Sequence, residues 1–124
     1  MTEILFKEES YKLIGICMEV HRLLGCGFKE IVYKDALEYE WQKNNIDFIR
    51  EKKYIIGYKD IILPHAYRAD FVVYGSIILE VKASAWIVNN FVAQTINYLK
   101  ASGLNLGIIA NFGKTSFESK RIVF

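Results

Sequence analysis

The feature that most constrains the fold is a pair of charges inside the apolar segment "IILEVKA" near the middle of the chain. Ile77, Leu79 and Val81 are residues that fill the interior of a sheet, yet Glu80 and Lys82 lie among them. Alternate residues of a strand point to the same face, so the carboxylate and the ammonium are expected to project side by side. The pair is either a functional site or part of a charged ladder, and its neighbours must decide between the two.

Length and composition limit the alternatives. The chain has 124 residues, of which 52% are hydrophobic and 24% charged, which predicts one globular domain over residues 1–124. The net charge of +2 is too small to indicate nucleic-acid binding by itself. Cys17 and Cys26 have neither a metal-ligand nor a disulfide spacing, and no apolar run approaches the roughly 20 residues that span a bilayer. We expect a cytoplasmic protein with reduced thiols and no membrane contact.

Hydrophobic periodicity predicts the order α-α-β-β-β-α-β-β. Helical spacing covers three segments, and the remaining segments are rich in β-branched and aromatic residues. The helices are predicted over residues 11–25, 28–44 and 86–103, and the strands within 47–60, 61–76, 77–82, 105–113 and 119–124. The sequence therefore predicts an α/β (α+β) domain in which helices flank one mixed sheet.

The neighbours of Glu80 depend on the register of the hairpin that precedes it. Gly75 lies midway between Asp70 and Glu80. A hairpin centred there pairs Asp70 with Glu80 and Arg68 with Lys82, on one face. This register needs a loop with an odd number of residues or a bulge. It is favoured because the other face then becomes apolar, with Phe71 opposite Leu79 and Ala69 opposite Val81.

Two opposed carboxylates repel one another, so Asp70 and Glu80 would stay ionised only with a cation between them. Hard oxygen ligands of this kind suit Mg²⁺ or Mn²⁺, and Lys82 could then help to activate a water molecule or stabilise charge. A salt-bridge ladder of these two acids with Arg68 and Lys82, on a solvated face, explains the same four residues equally well.

Polar residues on two helices favour the functional interpretation. Glu30 precedes Tyr33, Leu37 and Trp41 on the apolar stripe of the second helix, so it is expected to point inward, where a carboxylate needs a partner or a metal. On the third helix, Gln94 lies one turn before Tyr98, with Asn90 a turn earlier, beside the apolar stripe. An exposed Glu30 in the first helical turn and a solvated face at Gln94 remain the alternatives.

The segment "GFKEIVY", with Gly27, Glu30 and Tyr33, resembles the signature of the GxxExxY protein family, which is assigned to the PD-(D/E)XK nuclease superfamily. The resemblance continues in order through "YRADFVV", "IILEVKA", "AQTINYLK", "LGIIANFG" and "KRIVF", over nearly the whole chain. It implies a restriction-endonuclease-like core of order α-β-β-β-α-β. Ala69 replaces the proline that the superfamily often has before its aspartate.

The resemblance also implies roles for individual residues. Asp70 and Glu80 correspond to the metal-binding acidic pair and Lys82 to the catalytic lysine. Glu30 would be a helix-borne acid that also contacts the metal. Gln94 would be catalytic as well, with Tyr98, Arg68 and Tyr33 in support.

The leading hypothesis is therefore a Mg²⁺- or Mn²⁺-dependent phosphodiesterase acting on nucleic acid, DNA or RNA, by metal-assisted attack of water. The alternative is a non-catalytic domain that binds nucleic acid or a partner and retains the nuclease fold. The intact Asp70, Glu80 and Lys82 favour catalysis, whereas the lack of a strong basic patch favours binding alone. A core of this size usually needs help to grip a duplex, so a homodimer is one expectation.

Overall fold

The computed structural model describes residues 4–124 and arranges three helices and seven strands within them. In chain order these are α1 (Lys7–Leu24), α2 (Glu30–Lys43), β1 (Phe48–Tyr54), β2 (Gly57–Tyr58), β3 (Ile61–Ile62), β4 (Tyr67–Val73), β5 (Ile77–Lys82), α3 (Asn89–Ser102), β6 (Leu106–Asn111) and β7 (Glu118–Val123). The predicted order is confirmed. The short β2–β3 hairpin is an addition that the sequence did not predict as a separate pair.

Glycines end two of the helices. The backbone of Gly25, after α1, has φ of 71° and donates its N–H to the carbonyl of His21 at 2.7 Å. Gly103, after α3, has φ of 76° and donates to the carbonyl of Leu99 at 3.0 Å. Both residues have a positive φ, which glycine adopts without steric cost.

One five-stranded sheet organises the molecule, with the strand order β1-β4-β5-β6-β7. Three neighbouring pairs are antiparallel, and β5 pairs with β6 in parallel. Helix α3 connects these two parallel strands, since a parallel pair requires a crossover connection. The predicted mixed sheet is confirmed.

Helices cover both faces of the sheet and bury two apolar clusters. Helices α1 and α2 pack on one face, where Tyr33, Leu37 and Trp41 are fully buried, as their spacing predicted. Helix α3 packs on the other face through Tyr98 and Leu99. The strands β4, β5 and β6 are therefore covered on both sides. No helix within residues 4–124 is long and apolar enough to cross a membrane.

The hairpin β4–β5 has the predicted register but not the predicted length of pairing. Three residues, 74–76, form its loop, and Phe71 pairs with Leu79. The ladder ends at that pair, so Arg68 does not pair with Lys82 and instead lies opposite Lys53 of β1. Ala69 packs in the α3 cluster and Val81 in the cluster on the other face. Their expected pairing on one apolar face was therefore wrong.

Candidate active site

The strands β4 and β5 stop pairing through their backbones where the two acidic residues begin. The backbone N–H of Asp70 donates to Oε2 of Glu80 at 2.9 Å. The backbone N–H of Val81 donates to Oδ2 of Asp70 at 2.8 Å. Two carboxylates thus replace main-chain carbonyls as acceptors between the strands. This exchange satisfies the buried N–H groups and brings the two acidic side chains to one place.

Glu80 is the more buried of the two acids, with 2% of its surface exposed. Burial, and then the negative charge of Asp70, raises the pKa of the Glu80 carboxyl to about 9. The physical cause is that an ionised carboxylate loses hydration in the protein interior and meets a like charge beside it. The pair can hold two negative charges at neutral pH only if a positive charge compensates them.

Lys82 lies at the end of β5 and is held by helix α3. Its Nζ donates to Oε1 of Gln94 at 2.9 Å and lies 4.6 Å from the centroid of the Phe91 ring. The hydrogen-bond partner is a neutral amide and the ring supplies a cation–π contact, so the ammonium is oriented without being neutralised by a carboxylate.

Helix α3 also presents Tyr98 to the acidic pair. Tyr98 is 7% exposed and packs edge-to-face on Tyr67 at 5.2 Å between ring centroids. Burial, and then the charge of Glu80, raises the pKa of the Tyr98 phenol. The structure therefore brings Gln94 and Tyr98, one helical turn apart, to the polar site, one beside Lys82 and the other beside Glu80.

Two other predicted site residues are exposed. Glu30, the first residue of α2, is exposed, so the inward orientation expected from the apolar stripe is not what the structure has. The stripe begins one turn later, at Tyr33, and a carboxylate in the first turn can remain in water near the positive end of the helix. Arg68 is exposed on β4.

Tyr33 has a structural position. Its hydroxyl donates to the carbonyl of Gly25 at 2.6 Å and accepts the N–H of Phe28 at 3.3 Å, while its ring stacks on Phe112 at 4.6 Å. These contacts tie the loop between α1 and α2 to the core. Tyr33 thus fixes where α2 begins, and with it the position of the helix that carries Lys34.

Lys34, which sequence reasoning missed, is a buried cation at the site. It is 7% exposed, and its Nζ donates to Oδ1 of Asp70 at 3.0 Å and to a carboxylate oxygen of Glu51. Burial acts to lower the pKa of Lys34, but the hydrogen bonds and charges of Glu51 and Asp70 outweigh it, so the pKa is raised. Its position three residues before Leu37, on the buried stripe of α2, was the available signal.

Glu51 is the second residue that was missed. It lies on β1 between two residues that pair with β4, since Arg50 pairs with Phe71 and Lys52 with Ala69. Glu51 itself is left out of the ladder and has φ of 57°, which is strained for a residue with a side chain. The charged run "REKK" gives no sequence signal for this conformation.

The segment that follows Lys82 is held by residues of β6 and β7. The fully buried Asn111 accepts the N–H of Ser84 at 3.0 Å and donates to the carbonyl of Ser84 at 3.0 Å. Glu118 accepts the N–H of Ile87 at 2.8 Å. These contacts fix the connection between β5 and α3, and with it the relative positions of Lys82 and Gln94.

The acidic residues of the site form a pair and not a larger ligand cluster. Among residues 4–124, no group of three or more histidine, cysteine, aspartate or glutamate side chains is arranged to hold a metal ion. The acids at the site are Asp70 and Glu80, with Glu51 joined to them through Lys34. Any cation bound by the pair would need water or substrate oxygens to complete its coordination.

Comparisons with known proteins agree with this fold. The fold is similar to that of a solved structure titled "Crystal structure of SSO0001", with a TM-score of 0.62 and 20% sequence identity over 95% of this chain. This chain spans 59% of the length of that protein. None of the curated proteins matches the sequence significantly. A family model described as the PD-(D/E)XK nuclease superfamily matches residues 7–122. The protein is therefore a member of the PD-(D/E)XK nuclease superfamily, with a restriction-endonuclease-like mixed sheet.

Proposed function

We propose that the protein is a divalent-metal-dependent nuclease that hydrolyses phosphodiester bonds in nucleic acid. The observation that carries this proposal is the meeting of Asp70 and Glu80 where the β4–β5 ladder opens, with Lys82 held beside them. Membership of the nuclease superfamily supports the reaction class. The GxxExxY assignment and the choice of Mg²⁺ or Mn²⁺ are part of the proposal.

The donor chemistry of the acidic pair fits a hard divalent cation. Glu80 is buried beside a second carboxylate, and burial together with the charge of Asp70 raises its pKa to about 9. Two carboxylates in one place are the ligands that Mg²⁺ and Mn²⁺ prefer. When bound at Asp70 and Glu80, such an ion would polarise the scissile phosphate and lower the pKa of a water molecule.

Lys82 would help to activate the attacking water and would stabilise the negative charge that develops on the phosphate. Its ammonium is oriented by the Gln94 amide and the Phe91 ring without a carboxylate partner, so its positive charge remains available to substrate. Gln94 is a positioning residue because it acts through Lys82. Tyr98 would support Glu80 from α3, where its buried phenol stays protonated and can donate a hydrogen bond.

The roles implied for three other residues are weaker proposals. Glu30 would contribute to a metal site only through water or after movement of its exposed side chain. Arg68, exposed on β4 beside the open end of the hairpin, would contact the phosphate backbone of nucleic acid. Tyr33 supports the site indirectly, by fixing the start of α2.

A domain that binds nucleic acid or a partner without hydrolysis is the second candidate function. It is favoured by a specific observation, the ammonium of Lys34 on Asp70, which already compensates one of the two carboxylates. It is also favoured by the net charge of +2, which is small for a protein that grips a duplex without help. A homodimer would enlarge the contact surface, and we include it in the proposal for either function.

The decisive experiment incubates the purified protein with single- and double-stranded DNA and RNA, in Mg²⁺, Mn²⁺ or chelator. We expect metal-dependent cleavage that Asp70→Asn abolishes together with metal binding, because a neutral amide is a poor ligand for a hard dication. Lys82→Ala should keep metal binding, measured by calorimetry, and lose about 100-fold or more in turnover. Lys100→Ala, an exposed change on α3, is the matched control and should retain activity.

The proposal fails if the wild-type protein cleaves none of these substrates with either ion. Nucleic-acid binding without cleavage, insensitive to Asp70→Asn, would establish the binding function in its place. Cleavage that persists at wild-type rate in Lys82→Ala would retain a nuclease but remove the assigned role of the lysine.

A further inference from the structure

We propose that Lys34 is a built-in counter-cation that competes with a divalent ion for Asp70, and that Glu51 is the residue to which Lys34 retreats when the ion binds. The inference rests on the metal site of the proposed function. Neither residue belongs to the acidic pair and lysine that the sequence motif contains, and both come from elements outside the β4–β5 hairpin.

The hydrogen bonds of Asp70 create the competition. Oδ2 accepts the N–H of Val81 at 2.8 Å, and Oδ1 accepts the ammonium of Lys34 at 3.0 Å. Both oxygens are thus engaged before any ion arrives. An ion at roughly 2.0–2.1 Å from a carboxylate oxygen would lie within a few ångströms of a like-charged ammonium, and the repulsion is strong away from bulk water.

Burial makes this competition harder to relieve. The side chain of Lys34 is 9% exposed, and those of Asp70 and Glu51 are 19% and 44% exposed. A buried ammonium must keep a partner. Release of Lys34 from Asp70 is therefore practicable only because Glu51, on its more solvated side, continues to bind it.

The strained backbone of Glu51 indicates that the surrounding structure holds this residue in place. A φ of 57° interrupts the β1–β4 pairing beside Asp70, and such a conformation persists only when the surroundings hold it. The contact with Lys34 is the ion pair that Glu51 makes across to α2. Glu51 and Asp70 thus flank one ammonium, and the ion needs only one of these two carboxylates.

Calorimetry with Mn²⁺ on the full chain tests the inference through metal affinity and not through cleavage. Lys34→Met removes the charge and keeps a long side chain, so the Kd for Mn²⁺ should fall at least about tenfold. Lys34→Arg, which retains the charge, should bind as weakly as the wild type. Lys43→Met, an exposed change at the end of the same helix, alters the net charge equally and should leave the Kd within about twofold.

Glu51→Gln provides a test of opposite sign that does not depend on the folding of the lysine variants. With Glu51 neutral, Lys34 has only Asp70 as a charged partner, so the Kd should rise. A double-mutant cycle should then be non-additive, because Glu51→Gln has little effect once Lys34 is methionine.

An unchanged or higher Kd in Lys34→Met overturns the inference, as does a lower Kd in Glu51→Gln. Absence of Mn²⁺ binding in both the wild type and Lys34→Met also overturns it, because Lys34 is then not what opposes the ion. Cleavage is scored separately. A tighter Kd in Lys34→Met without any nuclease activity would retain this inference and reject the proposed function, and the reverse pattern would do the opposite.

Discussion

The two halves of the β4–β5 hairpin consist of the same two strands but are held together differently. Near the loop, three residues of each strand pair through their backbones, and all six are buried: Phe71 with Leu79, Val72 with Ile78, and Val73 with Ile77. At the open end, the carboxylates of Asp70 and Glu80 accept the N–H groups that a ladder would use. One half is closed by packing, and the other is kept open by charge.

This difference shows how a site can be formed inside a sheet without unsatisfied backbone groups. Main-chain N–H groups that leave the ladder need other acceptors, and the functional carboxylates themselves supply them. The cost is that Glu80 is buried beside a like charge. The closed half must supply the stability that the open half lacks, and substitutions in the two halves should therefore differ in sign.

The largest expected effect is in the closed half. Phe71 is fully buried, with the rings of Trp41 and Phe48 about 6 Å away on the same face. Phe71→Ala should lower the free energy of unfolding by about 3–5 kcal/mol, because it leaves a cavity that close-packed neighbours cannot fill. Chemical denaturation measures this, with the exposed Tyr39→Ala as a control expected to stay within about 0.5 kcal/mol. A loss of less than about 1 kcal/mol would show that the closed half is not held by packing.

In the open half, substitution of Glu80 on β5 should change stability in the opposite direction. Glu80→Gln should stabilise the metal-free protein by about 2 kcal/mol or more at pH 8, because the amide oxygen can still accept the N–H of Asp70 and the variant has no carboxyl that must take up a proton on folding. The raised pKa of Glu80 also predicts a pH dependence. The folded state holds its proton up to about 9, whereas the unfolded state releases it near 4.5.

Between these two pKa values the unfolded state binds fewer protons than the folded state, so stability falls as pH rises. In the metal-free wild type, the contribution of Glu80 to the free energy of unfolding should therefore be highest below pH 4.5. It should be lost progressively as the pH rises to about 9. Melting temperatures in chelator across this range, compared between wild type and Glu80→Gln, give the measurement. The variant should show a flatter profile, and parallel profiles would contradict the raised pKa.

A smaller effect is expected behind the open half, where the connection after Lys82 rests on β6. A Cβ on Gly113 would lie 2.1 Å from the backbone nitrogen of Ser84, too close for either chain to accommodate without moving. Gly113→Ala should cost on the order of 1–3 kcal/mol and displace the segment that positions Lys82. Gly15→Ala is the control, since a Cβ there meets nothing within 4 Å. Equal melting temperatures for the two variants would show that this support is dispensable.

The sequence predicted the closed half better than the open half, for a physical reason. Apolar residues at alternating positions allow one register, so the Phe71–Leu79 pairing, the element order and the buried stripe of α2 could be predicted. The exposure of Glu30 could not be predicted from the same rule, because a residue at the start of a helix can follow the stripe in sequence and still be exposed. The nearby Lys34 is on the stripe, but a lysine there was not recognised as an inward-facing cation.

Part of the site therefore could not be predicted from hydrophobic periodicity. Asp70, Glu80, Lys82, Gln94 and Tyr98 do come together at one opening between two strands and α3. Glu51 joins them because its backbone leaves the β region, and nothing in a run of charged residues specifies that. Long-range contacts, here between α2 and β1, decide such conformations.

The smallest effect sharpens the comparison at Glu51, where strain and an ion pair oppose each other. Glu51→Ala and Glu51→Gly both remove the contact with Lys34. The difference between their free energies of unfolding therefore reports the backbone contribution alone. At φ of 57°, alanine bears a steric cost of about 1 kcal/mol that glycine does not. Glycine should therefore be the more stable of the two by roughly that amount, reduced by the greater freedom of its unfolded chain. Denaturation of both variants in chelator measures the difference. At Lys53, which pairs regularly with Arg68, alanine should be the more stable of the same two substitutions. If alanine were the more stable at position 51 as well, Glu51 would not be strained.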